Sequence, residues 1–130
     1  MNHKIFDHIK KNNLESIKKL IESGKLDINT QNYKKYTLLN YSTYCDKFDI
    51  SIYLISNGAD VNTPDHCGDT PLHNLLIDGV FHEQLVELLL EHGADPYIKN
   101  NNGWTPIDYC NDKEEFLNLI RLTKLKELYK

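Results

Sequence analysis

His66 and Cys67 stand side by side between Asp65 and Asp69, the grouping in this 130-residue chain whose residue types best suit a metal-ligand set or a Cys–His dyad. A zinc site needs about four ligands at defined spacing, and a dyad needs its base within hydrogen-bond reach of the thiol. Neighbouring side chains on a turn are expected to diverge, and no Cys-x-x-Cys pair completes the set, so the sequence predicts neither metal nor cofactor. Cys45 and Cys110 fall on or near expected helices and read as small core or surface thiols. Asp27, Asp60 and Asp95 recur, but short acidic side chains in loops bond to their own backbone, and that role outweighs calcium binding. With no Gly-rich phosphate loop and no paired-carboxylate or Ser-His-Asp spacing, the chain is not expected to be an enzyme.

The elements that position these residues follow from composition and periodicity. A chain of this length with 40% hydrophobic and 26% charged residues can bury a core without staples, so one folded domain is expected. Net charge is -4 and Arg121 is the single arginine, which argues against nucleic acid as partner. Three widely spaced cysteines, an N-terminus without the apolar run of a signal peptide and no stretch of about 20 apolar residues predict a cytoplasmic protein without a membrane span. Asn40-Tyr41-Ser42 matches a glycosylation sequon but reads as chance in that compartment.

Internal repetition is the strongest signal. Asp27-Ile28-Asn29, Asp60-Val61-Asn62 and Asp95-Pro96-Tyr97 recur at offsets of 33 and 35 residues, and Thr37-Leu38-Leu39-Asn40, Thr70-Pro71-Leu72-His73 and Thr105-Pro106-Ile107-Asp108 recur at the same two offsets. Apolar residues at helical spacing lie between the markers, as in Leu85, Val86, Leu88 and Leu89. Gly24, Gly58 and Gly93 stand where these helices should end, and Thr70-Pro71 and Thr105-Pro106 read as an N-cap followed by the first helical residue. Each unit is therefore a short helix, a turn, a second helix and an extended loop.

Gly68-Asp69-Thr70-Pro71-Leu72-His73, followed by Leu85-Val86-Glu87-Leu88-Leu89-Leu90-Glu91-His92-Gly93-Ala94-Asp95, resembles an ankyrin repeat, and Gly103-Trp104-Thr105-Pro106-Ile107 begins another. The resemblance covers the whole chain and implies an all-α solenoid of stacked helix-turn-helix units with β-hairpin-like loops. The expected units are residues 1–30, an N-terminal cap with a polar outer face; 31–63; 64–98, with two extra residues around Asp78-Gly79-Val80-Phe81-His82; and 99–130, where Leu117, Ile120, Leu122, Leu125 and Leu128 suggest a closing helix. The second unit departs from the pattern: Lys35 replaces the glycine seen at 68 and 103, Asp46 stands where glycine is usual between helices, Leu38 replaces the helix-opening proline, and Ser42-Thr43 replace paired alanines. Leu75-Leu76 likewise replace small residues in the third.

The same resemblance implies roles for single residues. His73, with Thr70, is expected to be a hydrogen-bonding brace rather than a ligand or catalyst. The concave face is expected to bind a protein partner, with contact positions by register at Tyr33, Lys34, Tyr36 and Tyr44, at His66, Asp69, Ile77 and Asp78, and at Asn101, Asn102, Trp104 and Asp112. Three tyrosines and the only tryptophan would then lie along one line, flanked by Asp69, Asp78 and Asp112, and aromatic side chains are enriched at interfaces. Tyr36 and Trp104 could instead cover the neighbouring hairpin, and the inserted loop at Val80 and Phe81 is the other expected interface. The implied function is a non-catalytic, monomeric interaction module acting as adaptor, inhibitor or effector, or else a scaffold module whose activity lies on another chain. One arginine and fourteen asparagines point to an AT-rich genome, which would place an effector in a host cytosol.

Overall fold

The computed structural model describes residues 3–129 and stacks four units in chain order. Helices α1 (His3–Lys10) and α2 (Leu14–Glu22) form the first, α3 (Leu38–Tyr44) and α4 (Phe48–Ser56) the second, and α5 (Pro71–Leu76) and α6 (Glu83–Glu91) the third. The fourth has a single 3-10 turn, Pro106–Tyr109, followed by α7 (Lys113–Leu128). Among the described residues the hairpins carry one isolated antiparallel bridge, Gln31 to Thr37, and no ladder. The chain is an all-α solenoid.

The opening helical turns of the second, third and fourth units start where the sequence provides a cap. The Thr37 side chain accepts the Asn40 amide, while Thr70 and Thr105 form reciprocal capping boxes with His73 and Asp108 ahead of Pro71 and Pro106. One continuous core runs through the stack, from Ile5 and Ile9 through Leu38, Leu54, Leu72 and Leu89 to Phe116. The two extra residues of the third unit fold inward at one point, where Phe81 packs edge-on against Phe116 with ring centroids 6.1 Å apart.

One expectation needs correction. The first helix of the fourth unit shrinks to one 3-10 turn, because Ile107-Asp108-Tyr109-Cys110-Asn111-Asp112 is made of weak helix formers and the chain turns extended at Cys110. The closing helix is buried along one side only, at Phe116, Leu119, Ile120 and Thr123, and leaves Leu122, Leu125 and Leu128 exposed.

The repeated Asp-x-Asn marker is explained by bonds between units. Asn29 Oδ1 accepts the Asp60 amide at 2.9 Å, and Asn62 Oδ1 accepts the Asp95 amide at 2.7 Å. Within the loops, Asp27 Oδ1 and Asp95 Oδ1 accept the amides of Asn29 and Tyr97, both at 2.8 Å. These aspartates therefore do the backbone work expected of them.

Candidate functional site on the concave face

A second recurrent brace shapes each hairpin tip. Asn32 Oδ1 accepts the amides of Lys34 and Tyr36 at 2.9 and 3.1 Å, Asp65 Oδ1 those of Cys67 and Asp69 at 2.8 and 3.0 Å, and Asn100 Oδ1 those of Asn102 and Trp104, both at 3.0 Å. Lys35 keeps the left-handed backbone of its glycine counterparts, with φ 62° against 79° at Gly68 and 80° at Gly103. A Cβ at Gly68 would meet the Asn101 amide at 2.8 Å, so glycine is required there by space as well as by φ. Lys35 is exposed. Asp46, also at positive φ (58°), follows the same logic between α3 and α4.

On this frame the second unit opens a groove of about 700 Å³, lined by Phe6, Asp7, Lys10, Gln31, Asn32, Tyr33, Lys34, Tyr36, Tyr41, Tyr44 and Cys45. Its rings touch one another: Tyr36 packs against Tyr41 (5.5 Å between centroids), Tyr44 (5.6 Å) and His66 (5.7 Å), and Tyr41 against Phe6 (5.3 Å). Tyr33 is 85% exposed and Tyr44 53%, so much of their aromatic surface faces water. Burial pushes the Tyr36 phenol up to about 12, with the Asp65 carboxylate adding to the effect. Burial also raises the Tyr41 phenol and the Cys45 thiol.

Toward the other end, a second ring cluster is used for bracing. The Thr70 amide donates to His73 Nδ1 at 3.0 Å and Thr70 Oγ1 stands 2.9 Å from the same nitrogen. With Nδ1 accepting, Nε2 carries the proton and donates to the Trp104 carbonyl at 2.8 Å. His73 is fully buried; besides the expected brace with Thr70 inside its unit, it joins the third unit to the fourth. Trp104 rests on Tyr109 at 5.3 Å, leaving about half its surface open.

The expected contact residues thus divide. Tyr33, Lys34, Tyr36 and Tyr44 come together in the groove, and His66 closes one side of it. Trp104 stands in the separate cluster with Tyr109 and His73, so the aromatic side chains do not form one continuous line. Asp69 is buried, not on a surface rim: its Oδ1 accepts from Asn100 Nδ2 at 2.8 Å. Asn101 donates from its backbone to the Cys67 carbonyl and from its side chain to the His66 carbonyl, both at 3.0 Å, and the Asn102 amide is held by Asn100. Asp112 caps α7 through the Glu115 amide. Ile77 and Asp78 are exposed at the start of the insertion. Phe6, Asp7, Lys10 and Tyr41 belong to the groove but escaped the sequence reading, because contacts from α1 and from the inner turn of α3 lie outside the register positions used to choose candidates.

Among the described residues, two groups of side chains could hold a cation. Asp65, His66 and Cys67 bring one ligand atom each to within 4.8 Å of one another, and so do Asp46, Asp78 and His82. The first group corrects the expectation that adjacent side chains on this hairpin diverge: Cys67 Sγ lies 3.4 Å from His66 Nε2. As a nucleophile the thiol is poorly placed, since burial and the carboxylates of Asp65 and Asp69 raise it above the usual cysteine range.

Comparison with known proteins agrees with the geometry. A family model described as ankyrin repeats (3 copies) matches residues 52–124, and a second, ankyrin repeats (many copies), matches residues 20–73. The chain is 33% identical to a putative ankyrin repeat protein of fowlpox virus over 92% of its length, 28% identical to mouse protein phosphatase 1 regulatory subunit 27 over 91%, and 29% identical to the Drosophila melanogaster E3 ubiquitin-protein ligase Ufd4 over 84%. It spans 35%, 74% and 4% of those proteins. No helix among the described residues is long and apolar enough to cross a membrane. Ankyrin repeats are generally non-catalytic protein–protein interaction modules, and this chain belongs to the ankyrin-repeat family.

Proposed function

We propose that the chain binds a protein partner through the concave groove between its first and second units, acting as an adaptor, inhibitor or effector. The observation that carries this is the ring cluster of Tyr36, Tyr41, Tyr44 and Phe6 with Tyr33 projecting beside it, open to solvent along the groove. Aromatic side chains combine large contact area with few rotatable bonds, and exposed clusters of them are unfavourable in water without a partner. Lys10 and Lys34 face the same groove against the single carboxylate of Asp7. The fitting partner presents an apolar side chain flanked by an acidic group, rather than the basic flank that an acidic rim would favour. Regulation of another protein by binding is consistent with the presence of a phosphatase regulatory subunit among the relatives. A reducing compartment such as the cytosol suits the three free cysteines.

A scaffold role within a larger assembly is the second reading, favoured by the exposed Leu122, Leu125 and Leu128 on α7 and by relatives much longer than this chain. Photo-crosslinking separates the two. A benzophenone side chain at position 44 should capture a discrete protein, and one at Lys18, on the outer face, should not. Capture from position 125 alone would move the interface to α7 and favour the scaffold.

A further inference from the structure

We propose that Asp65, His66 and Cys67 form a zinc site on the hairpin tip of the third unit, with water in the fourth coordination position. Asn32, Asp65 and Asn100 make the same pair of backbone hydrogen bonds, so a neutral amide suffices for that brace. Asp65 is nevertheless a carboxylate and only 5% exposed, and a charge taken out of water is costly without a compensating partner. The Cys67 and Asp69 amides offset part of that charge, and a cation would compensate it further.

The other two ligands are oriented for the same ion. The His66 amide and Nδ1 both lie within hydrogen-bond distance of the Lys34 carbonyl, at 3.0 and 3.1 Å. With Nδ1 donating to that carbonyl, Nε2 is left with its lone pair facing Cys67 Sγ at 3.4 Å. A carbonyl on the far nitrogen is the usual support of a metal-bound imidazole. Zn–S and Zn–N bonds of about 2.3 and 2.0 Å in a tetrahedron place sulfur and nitrogen about 3.5 Å apart, close to the separation found here.

The tip is also held from both sides. Lys34 of the second unit fixes His66, while Asn101 of the fourth bonds to the carbonyls of His66 and Cys67. Little ordering remains to be done when the ion arrives. The buried Asp65 carboxylate attracts a divalent cation, and a cation bound at Cys67 displaces the thiol proton to solvent. A mixed sulfur, imidazole and carboxylate set selects zinc over magnesium or calcium. The equivalent triplets, Asn32-Tyr33-Lys34 and Asn100-Asn101-Asn102, offer no such set.

Zinc titration of the metal-free full chain by calorimetry, paired with cobalt substitution read by thiolate-to-metal absorption, tests the site. One ion per chain should bind, and cobalt should show the thiolate band. Asp65→Asn copies the neighbouring units and Cys67→Ser alters an exposed side chain; each should keep the melting temperature while weakening zinc by at least tenfold, in the range that lost metal contacts produce. Asp46→Asn should leave binding unchanged. The proposal is overturned if no saturable binding occurs, if both hairpin variants bind as the parent does, or if Asp46→Asn alone abolishes binding, which would place the ion at Asp46, Asp78 and His82.

Discussion

The second and third hairpins share a backbone and differ in what their side chains do with it. Asn32 and Asp65 make the same brace, and Lys35 and Gly68 the same left-handed turn. The next position diverges: Tyr36 faces the groove with other rings around it, whereas Asp69 turns inward to Asn100. Three residues beyond the cap threonine the contrast is repeated. His73 satisfies both ring nitrogens, bonding within its unit and to the fourth, while the Asn40 side chain donates to the Thr63 carbonyl at 2.8 Å and its buried Oδ1 has no partner among the described residues. The third unit uses its polar side chains to hold the stack together; the second has a less complete brace and an open aromatic surface. Departures from the repeat pattern thus coincide with the candidate site, the coincidence expected where binding rather than stability set the sequence.

The largest effect should come from breaking the better brace. His73→Ala leaves the buried Thr70 amide without its acceptor and takes one of two donors from the Trp104 carbonyl, which keeps the Asn100 amide, and should lower unfolding free energy by about 2–4 kcal/mol. Asn40→Ala should cost less, about 1–2 kcal/mol, because the Asn40 site is already incompletely satisfied. Equal losses in urea denaturation would dissolve the distinction between the two units. The reverse exchange sharpens it: Asn40→His gives the second unit an imidazole able to accept the Thr37 amide and donate toward the Asp69 carbonyl, and should add about 0.5–1.5 kcal/mol. A loss of stability would show that the Thr63 contact is worth more than the missing brace.

Smaller still is the turn itself. Lys35→Gly relieves a positive φ, which costs a residue with a Cβ about 1 kcal/mol, but glycine loses more entropy on folding. The net gain in melting experiments should lie between zero and about 1 kcal/mol. The smallest effect concerns alkaline pH. The Tyr36 phenol is raised in the fold from its usual 10 to about 12, so folding favours its protonated form. This preference is fully present below pH 10 and is lost as pH rises through about 12. Tyr36→Phe should reduce the fall in stability across that window and change little at pH 7.

The period, the caps and the family resemblance were legible because each rests on local chemistry: a threonine before proline, a glycine at a helix end, an asparagine able to reach the next unit's backbone. The groove was only partly legible. Tyr33, Tyr36 and Tyr44 followed from the register, but Phe6, Lys10 and Tyr41 reach it through packing of α1 on α3, which no spacing rule within one repeat specifies. Asp69 misled because its position is a surface one by register, yet Asn100, 31 residues later, supplies the buried donor that draws it inward. At the hairpin tip, the Lys34 carbonyl turned a side chain expected to diverge toward its neighbour.

The most direct measurement of the account is the affinity of the chain for the protein crosslinked at position 44, compared across three forms. Relative to the parent, Tyr33→Ala/Tyr44→Ala should weaken binding by about 2–4 kcal/mol while its unfolding free energy changes by less than about 0.5 kcal/mol, since both side chains are largely exposed. Glu87→Ala, on the far helices, should bind as the parent does. A double variant that binds with undiminished affinity would contradict the claim that the aromatic groove is the interface.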